Sequence, residues 1–228
     1  MAIQDFSTYN IVDPNGRFAI TPSRITWTRL RRNESAYIYK DFGVDFFNGY
    51  FMLEFEISYE NDWNIGTLET VWAPMLANIV GNIQTVVGAT GDAQGVCHQD
   101  GGALPPAGSP NPKVLEIDGG VEWLPPYGSV PAFNTIYYFR LTRDETIGAF
   151  GLLLLEVFTD AARTILAVGS GSITLHTSMK DFRYLFPVMS RSIAQNFWSS
   201  GFIQNLTYYG HPHITSRAAS NIISVEQP

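Results

Sequence analysis

Three carboxylates, Glu116, Asp118 and Glu122, fall within the stretch KVLEIDGGVEW of a chain that is poor in charge. Paired carboxyl groups perform general acid–base chemistry when their surroundings drive their proton affinities apart. Two such groups acting on a glycosidic bond stand about 5–5.5 Å apart when the configuration is retained, and about 6.5–9.5 Å when it is inverted. A straight strand rises about 3.3 Å per residue, which would hold Glu116 and Glu122 roughly 20 Å apart. Gly119 and Gly120 offer a way to fold the chain back. The simpler expectation is that they end the strand as a turn and leave solvent-facing carboxylates. Metal coordination is a third use.

Other polar candidates come from alternation. In GYFMLEFEIS, Phe51, Leu53, Phe55 and Ile57 point one way, and Tyr50, Met52, Glu54, Glu56 and Ser58 point the other. The first set reads as core and the second as a face open to water or a ligand. Glu54, Glu56, Glu116, Asp118, Arg140 and Glu156 are expected to share such an outward face, either to keep a sheet wet or to supply an acid/base pair. Trp63, Trp72, Trp123, Tyr127 and Trp198 are candidate platforms for sugars, because an exposed ring stacks on the apolar face of a pyranose. Trp123 and Tyr127 flank a Pro-rich loop that would hold them rigid. For any one Trp, packing in a core or rim is the competing reading.

Metal signals are weak. His211 and His213 lie in a terminal segment, and Cys97, His98 and Asp100 form a loop cluster with no second cysteine, so neither matches a structural zinc spacing. Asn61, Asp62 and Asn64 could offer oxygens to calcium, but no alternating Asp/Asn run supports it. The expectation is no cofactor. Cys97 has no identifiable activating partner and is expected to be inert. No Gly-x-Ser-x-Gly elbow occurs, and GATGDAQG lacks the Gly-Lys-Ser/Thr ending of a phosphate loop. Asn33-Glu34-Ser35 and Asn205-Leu206-Thr207 match the glycosylation pattern, which matters only in a eukaryotic secretory route.

The elements that position these residues follow from composition and period. The chain has 228 residues, 45% apolar and only 15% charged, with 14% aromatic residues, 20 glycines and 13 prolines. That mixture suits many strands joined by tight turns. The net charge of −7 argues against phosphate-backbone partners, and Arg29, Arg31 and Arg32, the single basic cluster, read as a solvated turn. Nucleic acid and anionic membrane are therefore not expected as partners. One cysteine permits no internal disulfide. MAIQDFSTYN has neither a basic nor an apolar leader region, so the expectation is cytoplasmic synthesis without a readable export signal.

Strands are predicted in DFSTYNIV, RFAIT, RITWTR, SAYIYK, GYFMLEFEIS, LETVWAPMLANIVG, IQTVVGA, KVLEID, TIYYFRLTR, AFGLLLLEVF, TILAVG, ITLHT, DFRYLFPVMS and SSGFIQNLTYYG. No helix is predicted. Residues 95–112 read as one long loop, GVEWLPPYGSVPAF as a second, and GSGS as a break before ITLHT. Pro187 marks an edge or a bulge. The organisation is one β-sandwich over residues 1–210, with residues 211–228 as a tail or arm. Two packed antiparallel sheets are the natural outcome.

The ordered set AYIYKDFG, GYFMLEFEIS, TIYYFRLTRD, DFRYLFPVMS and SSGFIQNLTYY resembles the concanavalin A-like lectin/glucanase superfamily, in the type met in phage and environmental sequences. The likeness spans roughly residues 5 to 209. The resemblance implies a jelly-roll sandwich, all-β, with one sheet concave on its outer side and sugars bound across it. Some members are family 16 glycoside hydrolases with a Glu-x-Asp-x-Glu or Glu-x-Asp-x-x-Glu strand. Carried over, Glu116 would be the nucleophile, Asp118 its helper and Glu122 the acid/base, but here three residues separate Asp118 from Glu122. The favoured implication is a non-catalytic carbohydrate-binding or surface-displayed module, as in a virion, that contacts a glycan through Trp123, Tyr127, Trp63, Glu54, Glu56 and Arg140. The alternative is a structural protein that assembles into homo-oligomers through its sandwich and C-terminal arm. A retaining β-glucan hydrolase stands third.

Overall fold

Period-two alternation is realised strand by strand in the computed structural model, which describes residues 2–60, 71–100, 110–124, 132–167, 171–176, 180–195 and 197–210. In chain order the first strands are β1 (Ala2–Ile3), β2 (Asn10–Val12), β3 (Phe18–Ile20), β4 (Arg24–Arg31), β5 (Tyr37–Asp41), β6 (Phe51–Tyr59) and β7 (Val71–Ala77). A short helix, α1 (Ile83–Gly88), precedes β8 (Ala93–Asp100), β9 (Pro110–Asp118), β10 (Val121–Trp123) and β11 (Tyr137–Asp144). The last four are β12 (Leu152–Phe158), β13 (Gly171–Thr174), β14 (Tyr184–Met189) and β15 (Trp198–Gly210).

Sheet A has the order β13-β12-β11-β6-β15-β4-β3, with β1 added against β15, and sheet B has the order β10-β9-β8-β7-β14-β5-β2. Neighbouring strands pair antiparallel, as in β6 with β11 and β15, and the two sheets form a jelly-roll sandwich. No helix among the described residues is long and apolar enough to cross a membrane.

The inward set of β6 is as expected: Phe51, Leu53, Phe55 and Ile57 are fully buried. Phe55 stacks on Phe139 of β11 with centroids 5.1 Å apart, and Val71, Val96, Val114, Leu185 and Val188 close the same core from sheet B. Each such side chain contributes about 1.5–3 kcal/mol by leaving water. This shared core makes the two sheets one unit.

The outer face of sheet B is covered. Trp72, Met75, Cys97, Leu115, Ile117, Phe186 and Met189 form a second buried cluster there with Ile83 and Val86 of α1. The helix is the reason, and IQTVVGA, expected as a strand, supplies it. Asn82 caps it by accepting the Thr85 N–H at 2.9 Å, and Ile83 and Val86 at i, i+3 spacing give it one apolar face. The seven-residue run is too short for its period to distinguish a strand from a helical turn.

Other boundaries differ too. Residues 95–112 are not one loop, since β8 and β9 pair from Ala93↔Ile117 to Asp100↔Pro110. Gly95 belongs in that ladder because a Cβ there would meet the Pro74 carbonyl oxygen at 2.3 Å. Val121–Trp123 is a strand rather than part of a loop, and Gly171 begins β13 rather than breaking the chain before it. Among its described residues TILAVG contributes only an isolated bridge, Phe158↔Leu166, and DFSTYNIV opens with a single 3-10 turn capped by Asp5. Pro187 sits at a register shift between Leu185 and Val188, the bulge that a missing N–H calls for.

The basic cluster is solvated only in part: Arg29 and Arg31 are exposed at the end of β4 rather than in a turn. Arg32 is buried and donates to Gln195, while Arg29 lies over the Trp198 ring at 5.7 Å. Buried Glu34 gathers Arg17 at 2.9 Å and, more distantly, Arg31 at 3.9 Å.

Candidate functional site

The outer face of sheet A brings together Glu54, Glu56, Arg140 and Glu156. Register does this: Arg140 on β11 stands directly between Glu54 on β6 and Glu156 on β12. Its guanidinium donates to Glu54 Oε1 through Nε at 3.0 Å and Nη2 at 2.9 Å, and reaches Glu156 at 3.6 Å. The other Glu54 oxygen accepts the Tyr209 hydroxyl at 3.0 Å. Burial first, then this hydrogen bond to Glu54, raises the Tyr209 pKa, so the hydroxyl is held as a donor.

A loop forms one wall. Asp160 accepts the N–H groups of Thr164 and Ile165, at 3.0 and 2.7 Å, which folds residues 159–166 into a tight turn and depresses the Asp160 pKa. Arg163 leaves that turn over the Tyr138 ring at 5.9 Å and ends 3.6 Å from Glu54. Beside this group Glu56 accepts Gln204 at 2.6 Å and Asn205 at 3.0 Å, and Gln204 accepts Arg24 at 2.7 Å. Arg24 in turn lies 4.2 Å over the Phe202 ring. Glu54, Glu56 and Glu156 thus face Arg24, Arg140 and Arg163, three charges of each sign, with Tyr138, Tyr209 and Phe202 between them. A carboxylate has about four acceptor positions, so Glu56, with two donors, and Glu156, with Arg140 at 3.6 Å, can still take a ligand hydroxyl. The arrangement suits hydrogen bonding to a polyhydroxylated ligand beside aromatic faces.

Glu116 and Asp118 do not join that face. They lie on β9 in the other sheet and alternate with Leu115 and Ile117, which pack outward, so Glu116 points between the sheets. The chain does fold back at Gly119-Gly120, both with positive φ, in the two-residue hairpin turn that such glycines favour. The pairing is Glu116↔Trp123 and Ile117↔Glu122. Directly paired residues share a side and neighbours alternate, so Glu122 is on the face opposite to Glu116. Glu122 is bound there by Arg191, at 2.5 and 3.1 Å. The carboxyl pair of the family 16 pattern is therefore not assembled, because the turn has the wrong parity.

Glu116 has a different partner. His176, just beyond β13, donates its backbone N–H to Oε2 at 3.1 Å and holds Nδ1 within hydrogen-bond distance of the same atom, at 2.8 Å. The His176 ring stacks on Trp123, with centroids 3.9 Å apart and planes 16° apart. Burial raises the Glu116 pKa, and the His176 hydrogen bonds and charge act against the rise. Asp118 and Asp92 share the Lys180 ammonium at 2.8 and 3.1 Å. Burial would lower the Lys180 pKa, and the two carboxylates outweigh it.

Of the remaining sequence candidates, Trp72 is fully buried beneath the Arg191 guanidinium, and Trp198 is half-buried beside Arg29. Trp63, Tyr127, Asn61, Asp62, Asn64, His211 and His213 lie outside the described residues, as does the proposed arm, 211–228. Cys97 and His98 face opposite sides of β8: Cys97 is in the outer cluster, while His98 donates Nε2–H to the Ala73 carbonyl at 3.0 Å. Among the described residues no group of three or more His, Cys, Asp or Glu is placed to hold a metal ion. Sequence reasoning missed Tyr209, Gln204, Arg163, Lys180 and His176. Alternation in β15 already placed Gln204 on a polar side, whereas nothing local ties His176 to Glu116, 60 positions away.

No protein-family model and no curated protein matches the sequence. Solved structures do match in fold. Alginate lyase Aly36B is 11% identical with a TM-score of 0.57, covering 91% of this chain and 88% of that one. The exoplasmic/lumenal domain of VIP36, in a Ca2+/Man-bound form, is 10% identical with a TM-score of 0.53, covering 90% and 85%. A legume lectin-like domain from Entamoeba histolytica is 12% identical with a TM-score of 0.53, covering 89% and 90%. The fold is thus one used by lectin-like domains and by alginate lyases, and at these identities the likeness concerns fold alone.

Proposed function

We propose that this chain is a non-catalytic carbohydrate-recognition module that holds a saccharide across the outer face of sheet A. The observation that carries the reading is the convergence on Glu54: Arg140, Arg163 and Tyr209, from two strands and a loop, meet one carboxylate on a partly buried face. These groups are held by one another, so little side-chain ordering is left for binding. Glu56, Gln204 and Asn205 extend the same row of donors and acceptors. The likeness in fold to a mannose-bound lumenal domain and to a lectin-like domain supports a sugar as ligand.

A glycan array probed with the whole chain tests the reading, followed by titration of any hit against Glu54→Gln and Arg140→Ala. A saturable glycan that both substitutions weaken at least tenfold, with circular dichroism unchanged, is the expected result. Silence across neutral and acidic glycans, or binding indifferent to both substitutions, would remove sheet A as the recognition face.

A further inference from the structure

A second group of side chains lies at the open edge of sheet B, away from the sheet A face. Trp123, Glu116 and Gln94 form one row across β10, β9 and β8. Glu116 and Gln94 are fully buried, and Glu116 Oε1 and both polar atoms of the Gln94 side chain have no hydrogen-bond partner among the described residues. Above this row the His176 ring is fixed twice, by Glu116 through Nδ1 and by the Trp123 stack.

The hydrogen bonds set the chemistry of the ring. The backbone N–H of His176 donates to Glu116 Oε2, and with Glu116 ionised that oxygen can only accept, so Nδ1 donates to the same atom. In neutral imidazole the other nitrogen, Nε2, then carries the lone pair. Nε2 has no hydrogen-bond partner among the described residues, and the His176 side chain is 31% exposed. Trp123 beside it is 38% exposed. An oriented acceptor thus adjoins an exposed aromatic surface, over buried polar groups that are themselves unpartnered.

Local charge narrows the ligand. Glu116, Asp118 and Asp92 cluster here, and Lys180 joins Asp118 and Asp92. Arg143, on which Glu116 also acts, is buried and committed to Glu145 and the Lys180 carbonyl, with Asp181 acting on it too. Carboxylates outnumber cations, so an anionic group is repelled. An acceptor needs a donor from the ligand, and an exposed indole favours the C–H face of a ring. A neutral sugar offers both.

We propose that Trp123 and His176 form a second saccharide subsite, selective for neutral sugars, in which Nε2 of His176 accepts a sugar hydroxyl. This subsite rests on the carbohydrate reading of the chain but not on the sheet A face. Glu116 is the positioning residue that orients His176 from below.

The test titrates neutral manno- and gluco-oligosaccharides, and separately oligo-alginate, into the full chain, followed by calorimetry and by the nitrogen-15 resonance of His176 Nε2. His176→Phe keeps a stacking ring and removes the acceptor, and Trp123→Ala removes the platform. The expected result is a neutral oligosaccharide that shifts the Nε2 resonance and binds about tenfold more weakly to each variant. Oligo-alginate should leave that resonance unmoved. Binding that Glu54→Gln abolishes while His176→Phe and Trp123→Ala leave it unchanged overturns the subsite alone and leaves the sheet A reading standing. A shift of Nε2 by oligo-alginate alone overturns the neutral selectivity. Loss in His176→Phe and Trp123→Ala with none in Glu54→Gln supports the subsite and removes sheet A.

Discussion

Glu116 and Glu122 lie on adjacent paired strands, each opposite the other's neighbour, and their carboxyl groups leave opposite faces of the sheet. One residue more or fewer in the Gly119-Gly120 turn would have put both on one side. Instead, one carboxylate belongs to His176 and the other to Arg191.

A glycosidase pair built on these two groups is therefore not expected. The chain should release no reducing sugar from β-glucan, and Glu116→Gln and Glu122→Gln should behave as it does. Measurable release that Glu116→Gln stops would falsify this expectation and require the strand to re-register.

Glu54 and Arg140 should be coupled in stability as well as in binding. Their bond is bidentate at one oxygen and partly sheltered, with side-chain exposures of 12% and 30%. A double-mutant cycle in urea should give a coupling of about 1 kcal/mol, reduced in high salt. Additive single effects would mean that the pair contributes position without stability.

His98 predicts a loss of stability on the acid side. Burial lowers its pKa from 6.5 to about 4, and the Ala73 hydrogen bond opposes the shift. Between these values the unfolded chain binds a proton that the folded chain does not, so stability falls as pH drops from 6.5 toward 4. The contribution is on the order of 3 kcal/mol over that window. Glu116 acts in the opposite sense. Its raised pKa adds stability that is fully present below 4.5 and is lost as pH rises through the folded value. Thermal unfolding of His98→Gln should show a flatter profile between pH 4 and 6.5 than the parent, and an unchanged slope would assign acid sensitivity to other groups.

Gly201 predicts a packing limit. A Cβ there would meet the Ser58 carbonyl oxygen at 2.4 Å and the Trp27 ring at 2.9 Å, where β15 shifts register against β4. Gly201→Ala should cost about 1–3 kcal/mol in urea unfolding. Gly16, with nothing within 4 Å but a φ of +64°, should lose less when replaced by Asn, which tolerates that conformation. Equal losses at both sites would argue against the close approach.

The sequence by itself determined the two-sheet sandwich and which residues of β6 are core, because alternation is a property of neighbouring residues and burial follows it. For the same reason it placed Glu54, Glu56, Arg140 and Glu156 on polar faces. Tertiary structure decided which strands stand side by side, and so that Arg140 falls between Glu54 and Glu156 while Glu116 turns inward to His176. It also decided that IQTVVGA is a helix, since its apolar residues have a face to cover on sheet B. Parity across a turn, and contact between residues 60 positions apart, depend on register and packing, which no local pattern encodes.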